Sequence, residues 1–190
     1  AAYALVAYHT AWLKAHHCSS YMAATMSTEL NDTDQLKVFY DDCIDNNGLT
    51  ILPPDVNASF YRFVPVSRKE IRYALGAIKG VGESAVEMIV AQREKDGPFK
   101  DLYDFCRRTD KKEVNRRVIE ALIRGGAFDS IDDHRARLLA NVEQAMSLAE
   151  TEAANANQIG LFGMLEPAAA PSVEIIEVPR WDERVKLDEE

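Results

Sequence analysis

Apolar residues recur at helical spacing over residues 3–27, with Leu5, Val6, His9, Trp12, Leu13, His16 and Ala23 near one stripe. That pattern predicts one long helix. A second helix is predicted over 34–46, capped by Thr33, with Leu36, Phe39, Tyr40, Cys43 and Ile44 on its buried face. Asn46-Asn47-Gly48 ends it, because Asn and Gly tolerate left-handed backbone. Leu49–Leu52 is a short extended run stopped by Pro53-Pro54. Tyr61, Phe63 and Val66 alternate with Arg62 and Val64, and Ile71 and Tyr73 resume after a polar break, which predicts a small hairpin. From Ala74 onward the pattern is helical with short turns. Helices are predicted near 84–95, stopped by Asp96-Gly97-Pro98, and over 101–108, carrying Leu102, Phe105 and Cys106. Asp110 and Glu113, at capping-box spacing, open a helix that carries Val114, Val118, Ala121 and Leu122 and closes at Gly125-Gly126. Asp132 or Asp133 caps a last helix over about 134–152. Ala153–Asn157 and Pro167–Pro171 then have linker composition. The fold class is mainly α, with a small β element near 49–73.

Composition changes this picture little. The chain has 190 residues, 47% hydrophobic and 28% charged, which suits one or two globular domains and argues against wholesale disorder. Its longest unbroken apolar run, Ala1–Tyr8, falls far short of the ~20 residues of a membrane span. Cys18, Cys43 and Cys106 form no C-x-x-C pair, so a zinc ribbon is excluded and a reducing cytoplasm fits. The opening Ala-Ala-Tyr, without Met, marks the chain as a fragment of something longer. Charge changes the picture more. The net charge of -9 argues against nucleic acid, but it is segregated. Residues 1–66 carry -4, residues 67–142 carry +3 and residues 143–190 carry -8. Only the middle third can lie on phosphate without strong repulsion.

The candidate chemistry sits in that middle third. Leu75–Ala85 reads Leu-Gly-Ala-Ile-Lys-Gly-Val-Gly-Glu-Ser-Ala, with Met88 and Ile89 continuing the apolar spacing. This is a helix-hairpin-helix pattern. Gly80 and Gly82 let the backbone turn tightly and approach a ligand with no Cβ in the way. Val81 plugs the turn into the core. The helix that begins with Glu83 and Ser84 aims unpaired N–H groups outward, an anion site to which Lys79 adds a mobile charge. Main-chain amides contact phosphate without reading bases. The plainer alternative is a tight turn between packed helices. A degenerate second copy follows: Val118–Ile123, then Arg124-Gly125-Gly126-Ala127-Phe128-Asp129, then a helix from His134. There Phe128 would plug the turn, and Arg124 and Arg135 would supply charge.

Several blocks carry a family likeness, in order along the chain: Ala2–His16, Ile51–Asn57, Ala77–Gly82, Asn115–Val118 and Gly126–Asp129. They resemble the alpha subunits of bacterial replicative DNA polymerase III. The resemblance implies that residues 1–66 are the C-terminal part of the fingers and 67–152 a tandem helix-hairpin-helix DNA-binding domain. It further implies a linker with a clamp-binding motif over 153–171, and the start of an OB-type, strand-rich module over 172–190. Family members usually carry a Pro after the His-aromatic pair, where this chain has His16-His17-Cys18. The resemblance places the polymerase carboxylates and their magnesium in a palm domain upstream of residue 1, so no catalytic residue, metal site or cofactor is expected here. Double-stranded primer–template DNA, the sliding clamp beta subunit and other holoenzyme subunits are the implied partners, in the cytoplasm and away from membranes.

Gln158-Ile159-Gly160-Leu161-Phe162 follows the alanine-rich stretch and resembles the Q-x-x-L-F motif by which bacterial polymerases hold the clamp. Leu161 and Phe162 can anchor in an apolar pocket while Gln158 fixes register. The alternative is that they dock on their own domain. Other readings weigh less. His16, His17 and Cys18 point ~100° apart on a helix and cannot share one ion. Asp41, Asp42 and Asp45 read as a solvated face, and Tyr8 and Trp12 as core. A helix-hairpin-helix glycosylase would use Asp101, nineteen residues after Gly82, as its catalytic carboxylate, against the plain reading of Asp101 as a helix cap. A clamp-binding module with no DNA contact is the third possibility.

Overall fold

The computed structural model describes residues 2–162 and 175–189, and the chain divides into two compact units, Ala1–Glu87 and Met88–Glu190. The division falls beyond the expected boundary at 66/67. The reason is packing, since Ile71 and Ala74 belong to the same buried cluster as Met22, Met26, Leu36, Cys43, Leu49 and Phe63.

In the first unit the predicted long helix is two, α1 (Ala2–His16) and α2 (Cys18–Thr28). His17, at φ -134 and ψ 50, breaks it by one residue of non-helical backbone. Only α2 buries apolar residues, through Met22, Ala23 and Met26. Tyr8 and Trp12, expected in the core, are 64% and 44% exposed, because no described element covers the stripe of α1. Helix α3 (Thr33–Asp41) is capped by Asp32 rather than Thr33; the Asp32 carboxylate accepts from the Gln35 N–H at 3.0 Å. A π turn over Asp42–Asn46 extends it. The wider turn rotates the side-chain register, which buries Cys43 and turns Ile44 outward against expectation. Gly48, at φ 57, ends the run in left-handed backbone. The Asp42 carboxylate accepts from Lys14 Nζ at 2.7 Å and from Asn46, and these bonds hold it below its ordinary pKa.

Strands β1 (Thr50–Leu52), β2 (Val64–Pro65) and β3 (Glu70–Arg72) form a sheet in the order β1-β3-β2. The expected hairpin is the antiparallel β2–β3 pair, with Val64 opposite Arg72. The parallel β1–β3 pair sets Ile51 opposite Ile71. Pro65 lies on the edge strand, where a missing N–H costs no ladder bond. The helix expected before the Lys79–Gly82 bend is a single 3-10 turn, Leu75–Ala77. It is pinned by N–H bonds from Leu75 to the Phe60 carbonyl and from Gly76 to the Tyr61 carbonyl. A Cβ at Gly76 would lie 2.6 Å from the Tyr61 carbonyl oxygen, so only glycine fits.

Helix α4 (Glu83–Asp96) starts in the first unit, ends in the second and stops at Gly97, φ 82. Helix α5 (Leu102–Arg108) is capped by Asp101. Asp110 and Glu113 do not open a helix as predicted. The Asp110 carboxylate accepts from the Lys112 N–H and its carbonyl from Glu113 and Val114, closing a turn. Asn115 caps α6 (Arg116–Arg124) by accepting from the N–H groups of Arg117 and Val118. Helix α7 (Arg135–Phe162) packs on α5 and α6 over Phe105, Leu122, Ile123, Phe128 and Val142. It overruns the stretch read as linker from composition, since alanine, abundant in 153–156, is the strongest helix former. The Pro167–Pro171 segment lies outside the described residues. Among residues 175–189 no strand forms; 175–182 lack regular structure and α8 spans Glu183–Glu189. No helix among the described residues is long and apolar enough to cross a membrane.

Candidate nucleic-acid interface

The first hairpin joins the 3-10 turn Leu75–Ala77 to α4. Ile78 accepts from the Val81 N–H at 3.1 Å, which closes the bend. Gly80 takes φ 91, a left-handed value that favours glycine. Val81 is buried while Lys79, Gly80, Gly82, Glu83 and Ser84 are exposed, so the bend is anchored by its one apolar residue and its rim faces outward. The first α4 ladder bond runs from Val86 N–H to the Gly82 carbonyl. The N–H groups of Gly82, Glu83, Ser84 and Ala85 have no hydrogen-bond partner among the described residues. A Cβ added at Gly82 meets nothing within 4 Å, so the space beside that residue is open. Lys79 brings positive charge to the rim, and Glu83, on the same rim, a negative one.

The second hairpin is built differently. Gly125, Gly126 and Ala127 give their N–H groups to Ala121, Ile123 and Leu122, closing α6 with Gly126 at φ 74. Asp129, Ile131 and Asp132 donate back to Gly126 and Phe128. His134 N–H goes to the Asp132 carboxylate, and the His134 Nδ1 atom accepts from the Arg137 N–H. Phe128 is fully buried, as a plug should be, and meets Phe105 edge-on at 5.0 Å. Arg135, expected at a phosphate, points inward instead. It is 7% exposed, bonds both oxygens of Asp129 and donates to the Arg124 carbonyl at 2.9 Å. A Cβ on Gly126 would strike that guanidinium. Arg124 is exposed. The sequence likeness between the copies lies in the helix-turn-helix order and the plug. It does not extend to open amides: Ala127 and Asp129, which flank the plug where the first hairpin has two glycines, give their N–H groups to the Leu122 and Gly126 carbonyls.

Asp101 has local employment. The Asp101 carboxylate accepts from the Asp104 N–H at 2.7 Å, the bond of an N-cap. Among the described residues, no group of three or more His, Cys, Asp and Glu could hold a metal ion. The main chain of Gln158–Phe162 forms the last turns of α7, and its side chains lie outside the described residues.

A helix-hairpin-helix motif model matches residues 48–138. The chain is 60% identical over its full length to a DNA polymerase III subunit alpha of Neisseria meningitidis serogroup B. It is 45% identical to that of Vibrio cholerae serotype O1 and 44% to that of Escherichia coli K12, again over its full length. Over its full length the chain is similar to a segment of these DNA polymerase III alpha subunits, spanning 16% of the length of the Neisseria relative and 17% of the other two. The Leu75–Ile89 pattern lies inside the stretch that the motif model matches.

Proposed function

We propose that this chain is a non-catalytic duplex grip of a replicative DNA-directed DNA polymerase. The first hairpin takes phosphate oxygens on the open N–H groups of Gly82–Ala85, with Lys79 alongside, and reads no bases. The observation that supports this most directly is the absence of any partner for those amides among the described residues. In the whole protein, catalysis and its magnesium belong to a palm domain. Primer–template DNA, the sliding clamp and other holoenzyme subunits are the partners, and the cytoplasm is the location. Gln158, Leu161 and Phe162 supply the tether to the clamp.

The test is titration with a short duplex at several salt concentrations. Each contacted phosphate releases ~0.9 counterion, and neutral amides add little, so a shallow slope of about -2 to -4 is expected, with Kd of ~10⁻⁴ to 10⁻⁶ M at physiological salt. Gly82→Ala is the sharpest variant. The added methyl meets no protein atom, so the fold is kept while the phosphate's approach is blocked. Unchanged duplex affinity in Gly82→Ala would refute the amide grip. Nanomolar, sequence-selective binding would refute it equally. The glycosylase reading draws no support from Asp101, which is spent as a cap.

A further inference from the structure

Residues 175–182 do not leave the second unit freely. The Asn141 side chain, 3% exposed, treats Ile176 as a neighbouring strand would. Its Oδ1 accepts from the Ile176 N–H at 2.9 Å, and its Nδ2 donates to the Ile176 carbonyl at 3.0 Å. Nδ2 also donates to the Arg137 carbonyl at 2.8 Å, so both of its N–H groups are used. Four residues down the helix, Arg137 holds Asp132 at 2.9 Å and faces Glu177 at 3.7 Å. Four further, Asp133 takes both ends of the Arg180 guanidinium at 2.7 and 3.0 Å. Arg137 and Asn141 share one face of α7 at i, i+4 spacing, and Asp133 lies two residues before its start. As they descend, their partners ascend from 176 to 177 to 180, so the segment runs antiparallel to α7.

We infer that residues 175–182 are a strap, latched by Asn141 and Arg180 over the start of α7, which makes the second hairpin a docking platform for the chain's own continuation rather than a second phosphate grip. The charge pattern points the same way. Three acids at this end each meet an arginine: Asp129 with Arg135, Asp132 with Arg137 and Asp133 with Arg180. With the amides of Gly125, Gly126, Ala127, Asp129 and His134 bonded internally and Arg135, Arg137 and Arg180 held by acids, this end has less left for a phosphate than the first hairpin. The Arg180 hydrogen bond holds the Asp133 carboxyl below its ordinary pKa, in keeping with a latch that stays ionic at neutral pH. That the first hairpin alone grips duplex rests on the function proposed above; the strap itself does not.

Hydrogen–deuterium exchange on the whole 190-residue chain, with and without a short duplex, separates the two. In the wild type the Ile176 amide is expected to exchange at least tenfold more slowly than an unstructured peptide. Asn141→Ala should remove most of that protection, a loss of roughly tenfold for a hydrogen-bonded pair. Arg180→Ala should remove part of it. Amides of α7 around Leu138 and Val142 should stay protected in both, which shows that the helix survives. Wild-type Ile176 exchanging at the unstructured rate, or equal protection in Asn141→Ala, would overturn the strap. In the duplex arm, Asn141→Ala should bind within twofold of wild type. A rise of several-fold on releasing the strap would mean that a phosphate site lay beneath it, and would overturn the platform. A wild-type chain that binds no duplex at all would refute the proposed function and leave the strap to be decided by exchange.

Discussion

The guanidinium of Arg108 lies 4.4 Å from the Phe99 ring centroid and donates to the carbonyls of Gln92 at 2.6 Å and Gly97 at 2.7 Å. It thereby ties the last turn of α4 to the Gly97 carbonyl just beyond it. Asp104 holds it in place at 3.1 Å, and both side chains are 11% exposed. Lysine has neither the planar fork nor the reach to serve both carbonyls and the carboxylate. Arg108→Lys should therefore lower stability by about 2 kcal/mol, the scale of losing charge-assisted bonds at a buried site, readable in urea melts. Burial pushes the Asp104 carboxyl up, but the Lys100 N–H and the Arg107 and Arg108 side chains outweigh it and hold the pKa below the ordinary value. A carboxylate depressed in the folded state contributes stability that is present above its unfolded pKa of ~3.9 and is lost as pH falls through the folded value. Melts between pH 6 and pH 2.5 should show that acid-side loss, and Asp104→Asn should flatten it while lowering the plateau. A loss equally steep in Asp104→Asn would place the acid sensitivity elsewhere. Cys106 is the opposite case. Burial pushes its thiol up to about 12, so it stays neutral and packs as a small apolar group.

At the scale of elements, the second unit is held by an aromatic run. Phe105 meets Phe99 at 4.8 Å and Phe128 at 5.0 Å, each edge-on, and Phe105 and Phe128 are fully buried. Phe105→Ala should cost about 3–5 kcal/mol, because a close-packed site collapses only partly around the cavity. A loss under 1 kcal/mol in denaturant melts would mean that α5 is not a core element. These elements were legible because their apolar spacing is dense and their stops are explicit, as at Gly97 and Gly126. What the pattern missed has local causes. Thr33 and Asp32 are both competent caps, and the extended backbone at Asp32 decided between them. Asp110 and Asn115 compete in the same way, and Asp110 spends its carboxylate on a turn two residues ahead. The break at His17 follows one backbone dihedral that no stripe of apolar residues records. The alanines after residue 152 read as a spacer by composition, although their helix propensity argues the reverse. In the candidate site, the G-x-G bend was legible residue by residue. The inward turn of Arg135 was not, since its partner Asp129 is also part of the motif that suggested a phosphate role.

At the scale of the molecule, the two proposed contacts lie far apart in sequence and on different elements. The open amides begin α4 and the Gln158–Phe162 segment ends α7. If each contact is made by its own residues, damage to one leaves the other whole. Replacing Leu161 and Phe162 together by Ala removes two apolar anchors, and truncating even one hot-spot side chain costs about 2 kcal/mol or more. Clamp affinity should then fall by at least 30-fold, while duplex affinity and its salt slope stay within error. Gly82→Ala should do the reverse. Both variants keep good helix formers in helical or open positions, so far-ultraviolet circular dichroism should be unchanged and neither result is open to a folding explanation. Surface plasmon resonance on immobilised clamp and anisotropy on a labelled duplex read the two affinities separately. Should both fall together in either variant, the contacts are coupled through the fold, and the division of labour between the bend and the helix end is wrong. The negative charge of the C-terminal quarter sharpens the expectation. Residues 143–190 carry -8 and repel phosphate, so the duplex has an electrostatic reason to stay at the bend and leave the end of α7 to a protein partner.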